Sequence, residues 1–97
     1  MSTYVWLVNW TDQGIRSVKE TTKRAKTFKE NAEKMGVTIK EIYWTMGRYD
    51  LVLVINAPND ETIRLLALGL GMGGNARTET LKAISAQGMD QILMGLP

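Results

Sequence analysis

The chain has no cysteine and no histidine among its 97 residues. Those two absences remove much of the chemistry open to a small protein. No zinc site of the usual nitrogen–sulfur kind can be built. No thiolate nucleophile, Ser-His-Asp triad or proximal haem histidine can be supplied. Any acid–base work falls to Asp, Glu, Lys or Tyr. No metal and no cofactor is therefore expected. Long apolar runs are missing too. The stretches LVLVINA and LLALGLGM are far short of the ~20 residues that span a bilayer. The opening MSTYVWLVNW has neither a basic region nor a long apolar core, so neither a signal peptide nor a membrane partner is expected, and the expected compartment is the cytoplasm. Excess charge is also lacking. A net charge of +2 is too small to argue for nucleic acid.

The length fits one domain spanning residues 1–97 and not two. So short a domain buries a modest share of its surface, and disulfides are not available to compensate. Oligomerisation remains, because it buries apolar surface on a second copy.

Tyr4 to Trp10 is rich in β-branched and aromatic residues and reads as a strand that is apolar on both faces. Thr11 or Asp12 caps a helix in which Ile15, Val18, Thr22, Ala25, Phe28, Ala32 and Met35 recur at steps of three and four. That helix is expected to end at Gly36, with a bend or break at Thr21–Thr22. Val37 to Met46 reads as a second strand, with Ile39, Glu41 and Tyr43 on one face and Ile42, Trp44 and Met46 on the other. A turn over Gly47 to Asp50 leads into a third, apolar strand, Leu51 to Ala57. Asn59 or Asp60 caps a second helix running through Met72. It is apolar almost all round and so expected to be buried on more than one side. Arg77 to Ser85 is a fourth strand, and Met89, Ile92, Leu93 and Leu96 can line a short C-terminal helix.

The order βαββαβ plus a tail predicts an α+β ferredoxin-like sandwich with a four-stranded antiparallel sheet. The first and third strands should be central. The second and fourth carry Lys40, Glu41, Glu79 and Lys82, as edges often do. Two helices cover only one sheet face. The other face would expose apolar residues, and the simplest cover is a twofold dimer, a dimeric α+β barrel.

The most distinctive run is Glu41-Ile-Tyr-Trp-Thr-Met-Gly-Arg-Tyr-Asp50. Gly47 permits a tight turn. Tyr49 has a polar tip on an apolar body, suited to a pocket wall. Asp50 sits at the mouth of a central strand and needs a partner, for which Arg48 and Arg77 are candidates. The plain reading is that Asp50 caps the turn and pairs with an arginine. Trp6, Asn9, Trp10, Tyr43 and Trp44 form an aromatic and amide-rich group at strand ends. Such groups line small-molecule pockets, but they also make cores and interfaces, the reading we favour. The run Gly69-Leu-Gly-Met-Gly-Gly74 is not a phosphate loop, because it closes a helix instead of opening one. The helix over 12–36 carries seven basic and four acidic residues. Interleaved signs mark a solvated face, and nucleic-acid binding is disfavoured.

The runs Leu7-Val-Asn-Trp-Thr-Asp-Gln-Gly14, Gly47-Arg-Tyr-Asp50 and Gly74-Asn-Ala-Arg-Thr78 resemble the GYD domain family over nearly the whole chain. The resemblance implies a small stand-alone protein of the ferredoxin-like, dimeric α+β barrel kind. It carries no catalytic or binding residue over. A looser similarity is to the effector-binding domain of the leucine-responsive and asparagine regulators, which has the same element order and a Gly-x-Tyr-Asp turn. That similarity implies a self-associating, ligand-sensing module without the DNA-binding helices.

Three functions follow as expectations. The first is a homo-oligomeric module for interaction or for a small polar metabolite held by Asn9, Trp10, Tyr43, Tyr49, Asp50 and Arg77. The second is a purely structural oligomerisation domain. The third is a cofactor-independent oxygenase-like enzyme using Asn9, Trp10, Trp44, Tyr49 and Arg77, by analogy of fold.

Overall fold

A computed structural model describes residues 1–97. Strands β1 (Ser2–Trp10), β2 (Thr38–Trp44), β3 (Leu51–Ala57) and β4 (Ala76–Ala83) form one antiparallel sheet in the order β2-β3-β1-β4. The two apolar strands are central and the charged ones are edges, as their composition predicts. Between strands lie α1 (Asp12–Arg16), a 3-10 turn (Val18–Glu20), α2 (Thr21–Lys34) and α3 (Asp60–Met72). A last helix, α4 (Ala86–Leu93), follows β4. This is the expected ferredoxin-like α+β fold.

The core lies between the sheet and the helices. Tyr4, Trp6 and Val8 of β1 and Leu51, Leu53, Ile55 and Ala57 of β3 point into it, meeting Ala32, Ile63, Leu66 and Ala67 from the helices. Trp6 is fully enclosed and its ring centroid lies 5.6 Å from that of Phe28. Its indole nitrogen is the one buried side-chain polar atom without a hydrogen-bond partner.

Three expectations need correction. The helix over 12–36 does break, but at Ser17, ahead of Thr21–Thr22, where α2 instead begins. Arg24 reaches back from α2 and donates to the Ser17 carbonyl at 3.0 Å and to the Ser17 hydroxyl at 2.9 Å. A carbonyl freed at the end of α1 thus finds a donor, which makes the break tolerable. Second, β2 does not alternate as read, because a bulge lies between Ile39 and Glu41. The extra residue resets the faces. Ile39, Ile42 and Trp44 share the helix side, while Glu41 and Tyr43 point to the open side. Third, α3 is not buried on several sides. Ile63, Leu66 and Ala67 are buried, but Leu65, Leu68 and Met72 are 62%, 56% and 88% exposed.

Candidate functional site

Two stretches far apart in the sequence, 11–14 and 73–75, turn out to be one joint. Thr11 caps α1 by accepting from the Gly14 amide at 3.1 Å. Its hydroxyl also donates to the Gly74 carbonyl, and its amide donates to the Asn75 carbonyl at 3.1 Å. Gln13 donates to the Gly73 carbonyl at 3.1 Å and to Asn75 Oδ1 at 3.0 Å. Gly14 is buried so closely that an added Cβ would lie 1.9 Å from the Asn75 carbonyl oxygen. The glycine run therefore ends α3 and docks against the start of α1. Gly74, at φ +83°, makes the reversal.

The turn from β2 to β3 is held in a similar way. Thr45 N–H donates to the Asp50 carbonyl at 2.8 Å, and the Thr45 hydroxyl to the Tyr49 carbonyl at 2.7 Å. Gly47 takes φ +113°. Asp50 does not pair with Arg48 or Arg77, and this corrects the sequence reading. Its Oδ2 accepts from the Trp10 amide at 2.9 Å, while its own amide donates to the Val8 carbonyl at 2.8 Å. β3 begins opposite Val8 and leaves the end of β1 without a ladder partner on that side. The Asp50 carboxylate supplies the missing acceptor. Tyr49 extends to β4, where its hydroxyl lies 3.4 Å from Glu79 Oε1.

The six candidate residues do not form one pocket. Asn9 and Arg77 are cross-strand neighbours on the open sheet face. Tyr49 reaches the same face through Glu79, and Tyr43 lies toward its β2 edge, where its hydroxyl donates to Glu41 at 2.8 Å. That bond raises the Tyr43 pKa above its ordinary value. Trp10 points to the helix side, as do Trp6 and Trp44, and Trp44 donates to the Thr21 hydroxyl at 3.0 Å. The sheet therefore divides the residues that an oxygenase-like reading needs around one substrate.

Sequence reasoning missed a groove on the helix side. α2 rests on β2 and α3 on β4, the two outer strands. Three strand spacings separate those by about 14 Å, more than the 8–10 Å between packed helices. A cleft of about 880 Å³ opens between them. Ile42, Leu51 and Leu53 lie at its floor, Phe28 and Met35 on the α2 side, and Leu65, Leu68 and Met72 on α3. The signal was present in the all-round apolar pattern of α3, but that pattern does not say what covers the helix.

A polar cluster closes the other end of β4. Tyr4 has its ring in the core and its hydroxyl donating to Asp60 Oδ1, and Lys82 Nζ donates to the same oxygen at 2.9 Å. The tyrosine bond first, and then Lys82, hold the Asp60 carboxyl below its ordinary range. The hydrogen bond to Asp60 in turn raises both Lys82 and Tyr4.

These joints coincide with the runs that resemble a known family, and the GYD domain model matches residues 4–93. The chain belongs to the GYD domain family. A curated relative from Thermus thermophilus is 32% identical over 85 residues, covering 87% of this chain and 90% of that protein. It is described as a glutamine synthetase and cystathionine beta-lyase binding protein. Among solved structures, this GYD domain is similar to TTHA0845, also from Thermus thermophilus, with a TM-score of 0.56 and 25% identity over 89% of this chain and 96% of that one.

Proposed function

We propose that this GYD domain is an interaction module that pairs with itself through its open sheet face and binds an enzyme partner. The observation that carries the reading is the uncovered face. Val5 and Leu7 of β1 and Val52 and Val54 of β3 lie there, flanked by Tyr43 (56% exposed) and Leu81 (43% exposed), with α2 and α3 on the opposite side. Apolar surface of this extent on a small chain is usually an interaction site. A twofold axis parallel to the sheet plane would cover it with its own copy. The relative described as an enzyme-binding protein supports the second half of the reading.

The test is direct. Binding of the purified chain to glutamine synthetase and to cystathionine beta-lyase from its own source would be measured by interferometry, and its mass by sedimentation. Binding to one of them by an even-numbered oligomer is expected. A monomer that binds neither would end this reading. Val54→Lys puts a charge on the face and is expected to halve the mass.

A finer version places a small polar metabolite at the polar end of the same face. Arg77 has no ion pair and can meet a carboxylate with two parallel bonds. Asn9 lies opposite it, and Tyr49 is nearby through Glu79. Asp50 is already committed to the Trp10 amide. A metabolite that raises the melting temperature of the parent but not of Arg77→Leu would support this version.

A further inference from the structure

We propose that the groove between α2 and α3 receives the C-terminal helix α4 of a second copy of this chain. The groove and the open sheet face lie on opposite sides of the sheet, so this contact is separate from sheet pairing.

The groove asks for one kind of occupant. Its walls are two helices that rest toward the outer strands, themselves about 14 Å apart, a width that suits one further helix and not a folded domain. What such a groove accepts is the apolar stripe of an amphipathic helix, with anchors at i, i+3, i+4 and i+7. This chain carries a helix of that kind with little of its own chain against it. Met89, Ile92 and Leu93 follow that spacing within α4, Leu96 lies just past its end, and all four are exposed.

α4 is anomalous as it stands. Helices under about 12 residues are marginal in water unless packed. α4 has eight residues, one of them Gly88. Its N-terminus is nevertheless capped by the Ser85 hydroxyl, which accepts from the Gly88 amide at 3.0 Å. All of its hydrogen bonds are local, and none ties it to the sheet or to the other helices. It makes little backbone contact with the body, and the chain as a whole is elongated. The radius of gyration is 14.8 Å and the long axis 53 Å, against about 12.5 Å expected for the radius of a compact chain of this length. A helix that is capped, amphipathic and sparsely contacted by its own chain is suited to pack elsewhere.

Size and charge fit a second copy. An apolar side chain removes about 100 Å² from water when buried, so the three anchors of α4 together with Leu96 cover about 400 Å². With the matching groove surface and two reciprocal contacts, a twofold pair buries about 1,600 Å², the standard size for a stable complex. The one charged residue of α4 is Asp90, beside the stripe. The groove carries Lys23, paired with Glu20 at 3.6 Å, and Arg24, which leaves its α2 wall with one net positive charge.

The absence of cysteine makes the test clean. Leu68→Cys marks the groove and Ile92→Cys marks the arm. Both positions are exposed, so both variants should fold. The two single variants are mixed and treated with a short bis-maleimide. Cross-linked pairs holding one chain of each kind are expected to exceed those formed by Leu68→Cys with Thr38→Cys, an exposed position outside the groove, at least tenfold. Equal yields would overturn the proposal. So would closure of a Leu68→Cys/Ile92→Cys chain on itself at dilutions where it is monomeric, which would place α4 in its own groove. Repeating the mixture with Val54→Lys in both chains separates this contact from sheet pairing. The cross-link is expected to persist there whether or not the sheet faces pair.

Discussion

The two ends of the sheet contrast. At the end marked by Trp10 and Ala76, three segments distant in sequence interlock: the start of α1, the glycine reversal after α3, and the Asp50 turn. At the end marked by Thr3 and Ala83, the chain leaves β4 and enters α4, held by its own cap alone. The shorter helix is the better anchored one. α1 has five residues and α4 has eight, yet α1 is fixed because its backbone touches Asn75. Tertiary contact, not helix length, decides which short helix is held.

The largest effect should come from putting a methyl group into the locked end. Gly14→Ala drives Cβ against the Asn75 carbonyl oxygen, a backbone atom with no rotamer to yield. Overpacking of this kind costs about 3 kcal/mol, a large part of a small domain's stability. Gly88→Ala in α4 is the counterpart. Its new Cβ would meet the Ile84 side chain at 3.2 Å and the Ser85 hydroxyl at 3.4 Å, both of them side-chain atoms. Replacing a helical glycine gains about 0.5–1 kcal/mol, less what those contacts take back. Urea denaturation of the two variants compares the ends directly. Similar losses at both would mean that the ends are equally constrained.

The Asp50 bond ranks next. Asp50→Ala leaves the Trp10 amide without its acceptor and should cost about 2 kcal/mol. Asp50→Asn keeps an oxygen in place and should cost less than half of that. Hydrogen exchange at the Trp10 amide should accelerate in the alanine variant alone. Equal acceleration in both would mean that the negative charge, not the acceptor, is what matters.

Much of this architecture was legible in the sequence. The run Leu51 to Ala57 has strand bounds that match to the residue, because its apolar run is ended by Pro58 and Asn59. Asn59 is the cap of α3, accepting from the Thr62 amide at 2.8 Å. The bulge after Ile39 was not legible, since either register of TIKEIYW puts apolar residues on a face. The break at Ser17 depends on Arg24 reaching back over a turn, a contact formed only in the folded chain. Asp50 was rightly read as needing a partner. That partner is a backbone amide, which no residue type announces. The six candidate site residues were chosen by chemistry, and strand parity then set Trp10 apart from Asn9 and Arg77.

The Tyr4–Asp60–Lys82 cluster lies toward the loosely held end and should have a smaller, pH-dependent effect. Asp60 is depressed below its ordinary 3.8, so its contribution is present above that value and lost as pH falls through the lower folded pKa. Lys82 and Tyr4 are raised above 10.5 and 10.0, so their contributions hold below those values and are lost as pH rises through the folded ones. The melting-temperature gap between the parent and Asp60→Asn should therefore be widest near neutrality and close toward both acid and alkali. A gap that is flat across pH would show that the cluster does not act through charge.

The smallest effect on stability should come from the free end itself. Ile92→Glu changes an exposed side chain on a helix with no hydrogen bond to the sheet or to the other helices. In dilute solution, where copies are separate, unfolding should shift by no more than about 0.5 kcal/mol. At high concentration the same substitution puts a carboxylate in the middle of the stripe that enters the groove. Burying it unpaired is costly, so the concentration dependence of the melting temperature should weaken relative to the parent. Chemical denaturation at two protein concentrations about a hundredfold apart reads both quantities. A stability loss that is the same at both would mean that Ile92 packs within its own chain, and the contrast between a locked and a free end of the sheet would then fail.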